Sequence, residues 1–215
     1  MSSAARLRGI EVCFASLTIT DAALVSGAAA LSAEERARAA RFIHAADRRR
    51  FIASHAMLRA ALSARTRIDA ARIEIRSTPQ GKPTLPDAHG VEFSLSRAGE
   101  LAAFAFGRIP LGIDLVAASS AERLREAETE FCSQEERDAV AKLPPALQRD
   151  VLLTIWARKE ALLKATGEGL SRSPAGVTVW RDAAHAVIPV AGIPWLVEDV
   201  AAPAGYRSAL AHRLA

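Results

Sequence analysis

The strongest periodic pattern in the chain predicts a helix that begins after Pro144-Pro145 and ends at Gly167, because proline and glycine are typical boundary residues of helices. One face of this helix carries large apolar residues: Leu152, Ile155, Leu162 and Leu163. Trp156, Glu160 and Lys164 recur at a spacing of four residues, so they share a different face. The pattern therefore predicts a helix with one buried face and one polar face.

Alternating apolar residues predict a series of short strands. They are expected over residues 11–20, 72–77, 91–96, 101–106, 111–116, 177–181, 186–190, 195–200 and 206–212. Ser32 begins a capping-box signature, which predicts a helical region that runs to Ala64 with a break near His44. Shorter helices are expected from Ser119 to Arg125 and after Ser133.

The order of strand, long helix and short strands occurs once before about residue 108 and once after it. We therefore predict an α+β fold of two similar lobes, residues 1–108 and 109–215, related by a pseudo-twofold axis. Each lobe is expected to be a small, mostly antiparallel sheet packed with a long helix. A cleft between such lobes is the usual place for a ligand.

Composition and charge narrow the classes of function. Half of the 215 residues are hydrophobic, which is enough for a globular core, and the net charge of +4 favours anionic partners. Basic residues do not alternate with aromatic ones, so no nucleic-acid partner is expected. Cys13 and Cys132 lack metal-ligand spacing, and no signal peptide or membrane span is recognised. These features predict a cytoplasmic protein with reduced thiols and no membrane association.

Acidic residues are the first candidates for chemistry. Asp114 lies in an apolar strand, where burying a lone carboxylate is costly unless it is paired or bound to a metal. A backbone amide or an arginine is the ordinary alternative partner. Glu160 and Lys164 lie one turn apart beside Trp156, which suits a site for a metal ion and a phosphate. A plain surface ion pair explains the same spacing.

Basic residues supply the second group of candidates. The arginines between residues 36 and 50 form either a phosphate-binding cluster or a solvated helix face. Lys82 lies in the loop segment Gly81-Lys82-Pro83, where it either points at a ligand or serves solubility. Glu136 stands at the third helical position after Ser133, which by itself indicates a second capping box.

An ordered set of motifs closely resembles the 4′-phosphopantetheinyl transferases of the longer, two-lobed, monomeric type that activates surfactin synthetase. The set consists of Gly112-Ile113-Asp114, Phe131-x-Ser133-x-x-Glu136 and Trp156-x-x-Lys159-Glu160-x-x-x-Lys164. Further matches extend the resemblance over most of the chain: Gly81-Lys82-Pro83, the segment from Phe93 to Gly99, and Gly167-Glu168-Gly169-Leu170.

The resemblance implies a Mg²⁺-dependent enzyme that uses coenzyme A as its co-substrate. Such an enzyme transfers the 4′-phosphopantetheine group to a serine hydroxyl of an apo acyl or peptidyl carrier protein and releases adenosine 3′,5′-bisphosphate. Coenzyme A would lie between the lobes of a monomer. Carrier proteins of this class are usually acidic, which suits a basic chain. A catalytically impaired homologue that binds coenzyme A or the carrier is the alternative.

The resemblance also implies roles for individual residues. Asp114 and Glu160 match the family's metal ligands, Glu136 matches the acid that accepts the serine proton, and Lys164 matches a catalytic lysine that holds the phosphates. The residues expected to bind the cofactor are Arg38, Arg50, Lys82, Ser96, Arg97, Lys159 and Lys164.

Three positions depart from the family's pattern. Val116 stands where many members carry a third acidic ligand, Arg97 where the family usually has histidine, and Ser94 where it usually has asparagine. Arginine can still bind phosphate, without a titration near neutral pH. The departures bear on metal affinity and rate more than on the reaction itself.

Overall fold

The structure is a computed structural model that describes residues 2–86, 90–168, 173–180 and 183–214 of the 215-residue chain. Within these ranges the strands are β1 Ser2–Leu7, β2 Ile10–Ser16, β3 Arg76–Ser77, β4 Pro83–Thr84, β5 Glu92–Ala98, β6 Leu101–Gly107, β7 Leu111–Ala117, β8 His185–Val190, β9 Ile193–Val200 and β10 Tyr206–Arg213. The α-helices are α1 Asp21–Ala29, α2 Ala33–Ala40, α3 Ala45–Thr66, α4 Ala121–Glu126, α5 Glu128–Phe131, α6 Gln134–Ala141 and α7 Pro145–Thr166. None of these helices is both long enough and apolar enough to cross a bilayer.

Two four-stranded antiparallel sheets form the framework. The first has the order β1-β2-β6-β5 and uses residues 2–107, and the second has the order β7-β10-β9-β8 and uses residues 111–213. This mixture of helices and antiparallel sheets confirms the α+β prediction. The predicted boundary between residues 108 and 109 falls between the two sheets, and the pseudo-twofold relation of the halves stays a prediction.

Helix α7 forms where the apolar pattern predicts it. Pro145 occupies its first turn, and Gly167 ends it in the left-handed conformation at φ 73°. The predicted apolar face is buried against β7 and β10, whereas Trp156, Glu160 and Lys164 are only partly buried on the other face. The helix therefore carries its polar face to the junction of the two sheets.

Strands β5 and β7 lie side by side at that junction, linked by serine side chains. Ser94 Oγ accepts a hydrogen bond from Ile113 N at 3.1 Å, and Ser96 Oγ accepts one from Leu115 N at 3.1 Å. These hydroxyls satisfy buried amide groups of β7, which would otherwise be costly to leave unpaired. The linkage fixes Asp114 between them at the sheet junction.

Gly112 allows β7 to approach α7 closely. A Cβ atom at this position would lie 2.3 Å from Ala161 O and 2.4 Å from Ala165 N, which is far inside van der Waals contact. Only glycine fits between the strand and the helix without moving one of them. The close approach brings Asp114 on the strand next to Glu160 and Lys164 on the helix.

Several local predictions are confirmed and others are corrected. His44 is the N-cap residue of α3, which confirms the predicted break. The strand predicted over 72–77 is reduced to Arg76–Ser77: Arg72 belongs to a 3₁₀ turn over Ala70–Arg72, and residues 73–75 have no strand pairing. Residues 177–180 form no strand, and Arg181, like Gly169-Leu170, lies outside the described residues.

Candidate functional site

A cleft of about 650 Å³ opens at the junction of the two sheets, between β5, β7, the start of α3 and α7. Six of the ten predicted site residues line it: Arg50, Ser96, Arg97, Asp114, Glu160 and Lys164. They come from four separate elements, so the fold brings together side chains that are far apart in sequence.

Asp114 is the most constrained of these residues. Its side chain is buried, and its Oδ1 atom accepts hydrogen bonds from Ser96 Oγ at 2.8 Å and from Lys164 Nζ at 2.6 Å. Its Oδ2 atom is also buried and has no hydrogen-bond partner within the described part of the chain. A buried carboxylate oxygen without a donor is costly, and a bound cation would satisfy it.

Glu160 faces the same cleft. Burial raises the pKa of its carboxyl group, the nearby Asp114 raises it further, and Lys164 opposes both effects. Lys164 forms its ion pair with Asp114 rather than with Glu160, so the surface pair considered from the sequence is not the arrangement observed. The described residues contain no group of three or more acidic, histidine or cysteine side chains that could hold a metal. Asp114 and Glu160 both line the cleft and interact electrostatically.

Two arginines form a second charged region next to the carboxylates. The guanidinium carbons of Arg38 and Arg97 lie 5.4 and 5.5 Å from the centroid of the Phe51 ring. Burial and the charge of Arg38 lower the pKa of Arg97. Neither arginine forms an ion pair with an acid among the described residues. Concentrated positive charge of this kind is suited to binding an anion.

Arg50 and Lys82 are held by other groups at the edge of the cleft. Arg50 pairs with Asp47 at 2.9 Å and with Glu100. Lys82 Nζ donates to Ala165 O at 2.8 Å in the last turn of α7, where a positive charge is favourable. Lys82 also lines an adjoining cavity of about 300 Å³, and burial lowers its pKa.

Glu136 and Lys159 do not reach the cleft. They form a buried ion pair, with Nζ 2.6 Å from Oε2 and side chains 2% and 0% exposed for Lys159 and Glu136. Glu136 also accepts hydrogen bonds from Ser133 N at 2.9 Å and Val179 N at 2.7 Å, and the capping box is present. Lys159 also donates to Pro174 O. Both groups are enclosed and occupied in this structure, and the base role of Glu136 and the cofactor contact of Lys159 stay predictions.

His55 is a residue of this region that sequence reasoning missed. Its ring stacks on Phe51 with centroids 3.8 Å apart, and it lines an open cavity of about 1010 Å³ together with Arg38. The spacing of four residues between Phe51 and His55 on α3 was the available signal. Nothing in the local sequence shows that arginines from two other elements surround it.

Two family models match the chain. The model described as 4′-phosphopantetheinyl transferase superfamily matches residues 110–206, and the model described as 4′-phosphopantetheinyl transferase, N-terminal, matches residues 19–107. The first match contains Asp114, Glu160 and Lys164, and the second contains Arg38 and Arg97. The two matches meet where the first sheet ends and the second begins.

Individual relatives agree with these models. The chain is 30% identical over 141 residues to the 4′-phosphopantetheinyl transferase Sfp of Bacillus subtilis (strain 168), covering 66% of this chain and 62% of that protein. It is 33% identical over 149 residues to the 4′-phosphopantetheinyl transferase HetI of Nostoc sp., covering 67% and 63%. The matched region thus spans slightly less than two thirds of each relative's length.

A solved structure is also similar. It is a holo-(acyl-carrier-protein) synthase from Bacillus anthracis in complex with CoA (3′,5′-ADP), with a TM-score of 0.39 and 18% identity, covering 49% of this chain and 95% of that one. The two family models together account for residues 19–107 and 110–206, so the chain belongs to the 4′-phosphopantetheinyl transferase superfamily.

Proposed function

We propose that this protein transfers the 4′-phosphopantetheine group of coenzyme A to a serine hydroxyl of an apo acyl or peptidyl carrier protein, with release of adenosine 3′,5′-bisphosphate. The observation that carries the proposal is the unpartnered, buried Oδ2 atom of Asp114 beside Glu160 and Lys164. Coenzyme A carries a pyrophosphate and a separate 3′-phosphate. The cleft offers carboxylates and a lysine for the first. Arg97 in the cleft and Arg38 in the adjoining cavity, neither in an ion pair among the described residues, suit the second.

Asp114 and Glu160 fit a magnesium ion. Magnesium prefers oxygen ligands, keeps several waters, and is commonly held by one or two carboxylates together with substrate phosphates. When bound, it would neutralise negative charge on the pyrophosphate. Val116, which stands at the position of the third acid, is a buried apolar side chain. Asp47 also lines the cleft but is paired with Arg50, so Asp114 and Glu160 are the carboxylates proposed for the metal.

The chain's own residues position the reacting groups. Lys164 Nζ lies 2.6 Å from Asp114 Oδ1 and 3.2 Å from Ile113 O, where it can bind a phosphate oxygen as charge develops. Ser96 holds the Asp114 carboxylate through its hydroxyl. Phosphoryl transfer depends mainly on such positioning and on charge neutralisation. These contacts therefore supply much of what the reaction requires.

The bond changes define what a base must do. The serine oxygen bonds to the phosphorus on the pantetheine side, the bond from that phosphorus to the bridging oxygen breaks, and the bisphosphate leaves with that oxygen. The serine proton must move to an acceptor. Glu136 is enclosed, whereas Glu160 lines the cleft and has no ion pair within the described residues. We assign Glu160 to this step through a water, because its carboxylate is also proposed as a magnesium ligand.

The proposal extends to partners and assembly. The basic chain suits an acidic carrier protein, since complementary charge speeds association. We propose that residues 1–108 and 109–215 act as one monomeric, cytoplasmic unit around the cleft, with no nucleic-acid or membrane partner.

Intact-mass measurement tests the proposal directly. The protein is incubated with coenzyme A, Mg²⁺ and a panel of apo acyl and peptidyl carrier proteins, and a carrier should gain the mass of one phosphopantetheine group. Glu160→Gln and Asp114→Asn should abolish the gain, whereas Glu126→Gln, an exposed change at the end of α4, should not. Failure to modify any carrier would overturn the proposal. Full activity of Glu160→Gln would overturn the site assignment.

The apolar Val116 and the arginine at position 97 favour one second candidate, a homologue that binds coenzyme A without turnover. Calorimetry separates the two. Tight binding of coenzyme A without modification of any carrier would support this candidate, and a single modified carrier would exclude it.

A further inference from the structure

An imidazole that the proposed reaction does not use lies beside the two unpaired arginines. His55, Arg38 and Arg97, here called the basic cluster, all contact the ring of Phe51. His55 and Arg38 line the cavity of about 1010 Å³. Leu95 lines both this cavity and the cleft with the carboxylates, so the two spaces adjoin.

Hydrogen bonding determines which ring nitrogen of His55 is available. Nδ1 lies 2.9 Å from Phe51 O, and a carbonyl oxygen can only accept, so Nδ1 carries its proton. Nε2 has no hydrogen-bond partner among the residues that the structure describes. A neutral ring therefore presents Nε2 as an acceptor, and a protonated ring presents it as a donor.

Four acids lie near the basic cluster, and three of them are paired with other cations. Glu74 pairs with Arg76 at 2.8 Å, whereas Glu34 is exposed and has no ion pair among the described residues. Glu35 on α2 lies 2.5 Å from Arg59, and Asp47 on α3 lies 2.9 Å from Arg50. The cluster therefore has more positive than negative charge around it.

Together with burial, the excess positive charge contributes to a lowered pKa of the His55 imidazole. Burial and the charge of Arg97 lower the pKa of His55 to about 4, with Arg38 adding to the effect and Glu35 opposing it. The ring is neutral at physiological pH for this reason. An anion bound among these groups would favour the protonated ring and so raise the pKa of His55.

We propose that His55 takes up a proton from solvent when a phosphate monoester dianion binds between Arg38 and Arg97, and that Nε2 then donates to that phosphate. The inference rests on the proposed function, in which this group is the 3′-phosphate of coenzyme A. The pyrophosphate would occupy the adjoining cleft with Asp114. No covalent bond changes, and binding at this place becomes linked to pH.

Histidine NMR on the full chain tests the proposal. The pKa of His55 is measured alone, with saturating adenosine 3′,5′-bisphosphate, and with dephospho-coenzyme A, which lacks the 3′-phosphate and carries no phosphate monoester. We expect the bisphosphate to raise the pKa from about 4 to about 6 and dephospho-coenzyme A to leave it nearly unchanged. The resonance is identified by its loss in His55→Gln, or by its contact with the Phe51 ring if that variant does not fold.

A binding measurement gives an independent readout. The ratio of the bisphosphate Kd of His55→Gln to that of the wild type should increase about tenfold between pH 7 and pH 5, since the ligand's own titration cancels in the ratio. An unchanged pKa with the bisphosphate bound, or an equal rise with dephospho-coenzyme A, would overturn the inference. Failure of both the bisphosphate and coenzyme A to bind would instead overturn the proposed function.

Discussion

Replacing Gly112 by alanine tests whether the close approach of β7 to α7 sets the geometry of the cleft. The added Cβ atom would lie 2.3 Å from Ala161 O and 2.4 Å from Ala165 N. Both are backbone atoms of a packed helix, so no side-chain rotation can relieve the overlap. Ordinary contact requires the strand and the helix to separate by about 1 Å.

The expected effects follow from that displacement. Overpacking a core costs about 1–3 kcal/mol, and we expect the upper end, about 3 kcal/mol of the free energy of unfolding, because backbone must move. Asp114 lies two residues along the same strand, and Glu160 and Lys164 directly precede the two contacted helix residues. A shift of about 1 Å between the two sides of the site should lower the transfer rate about 100-fold.

Gly176→Ala is the matched control, because a Cβ at that position meets no atom within 4 Å. Stability is measured by urea unfolding, and the transfer rate is measured at a temperature where all variants are folded. The control should change stability by no more than about 0.5 kcal/mol and leave the rate unchanged. If Gly112→Ala matches the wild type in both measurements, the close approach does not position the site.

Three further changes test separate parts of the structure. Arg158 is buried and contacts Asp199 at 2.7 and 2.8 Å. Arg158→Ala should lower the free energy of unfolding in urea by about 3 kcal/mol, and a loss below about 1 kcal/mol would contradict a structural role for this residue. Glu136→Gln leaves Lys159 without its acid and should lower the free energy of unfolding by about 3–5 kcal/mol, with an unchanged transfer rate per folded molecule. Loss of the transfer rate without loss of stability would instead support a direct catalytic role for Glu136. Because the pKa of His55 is about 4 when folded and near 6.5 when unfolded, the unfolded state binds more protons between these values. Stability should therefore fall by about 3 kcal/mol as pH drops from 6.5 to 4, and His55→Gln should lose this part of the pH dependence.

The site residues that could be predicted from the sequence are those whose neighbouring residues already mark them as unusual. Asp114 is an acid in an otherwise apolar strand, so its cost of burial singles it out. Glu160 and Lys164 follow the period of a helix whose ends are set by proline and glycine. Such signals depend only on neighbouring residues, and the structure keeps all three in the cleft.

Other features depend on contacts between distant segments, which no local pattern reveals. Glu136 has an ordinary capping signature, and its enclosure comes from Val179, which donates to its carboxylate from 43 residues further along. The environment of His55 is set by Arg38 and Arg97 from two other elements. Strand β1 is short of large apolar residues and is recognised only by its pairing with β2.

The adjacent residues Lys159 and Glu160 show how far one position on a helix can change a role. Successive side chains are rotated by about 100° around a helix axis. On α7 this rotation sends Lys159 into the interior, where it meets Glu136, and leaves Glu160 facing the cleft. The lysine therefore stabilises the segment that contains Pro174 and Val177, whose carbonyl oxygens it also contacts. A motif that names the two residues together therefore combines a buried ion pair with a carboxylate that faces the cleft, and only the packing of the helix distinguishes them.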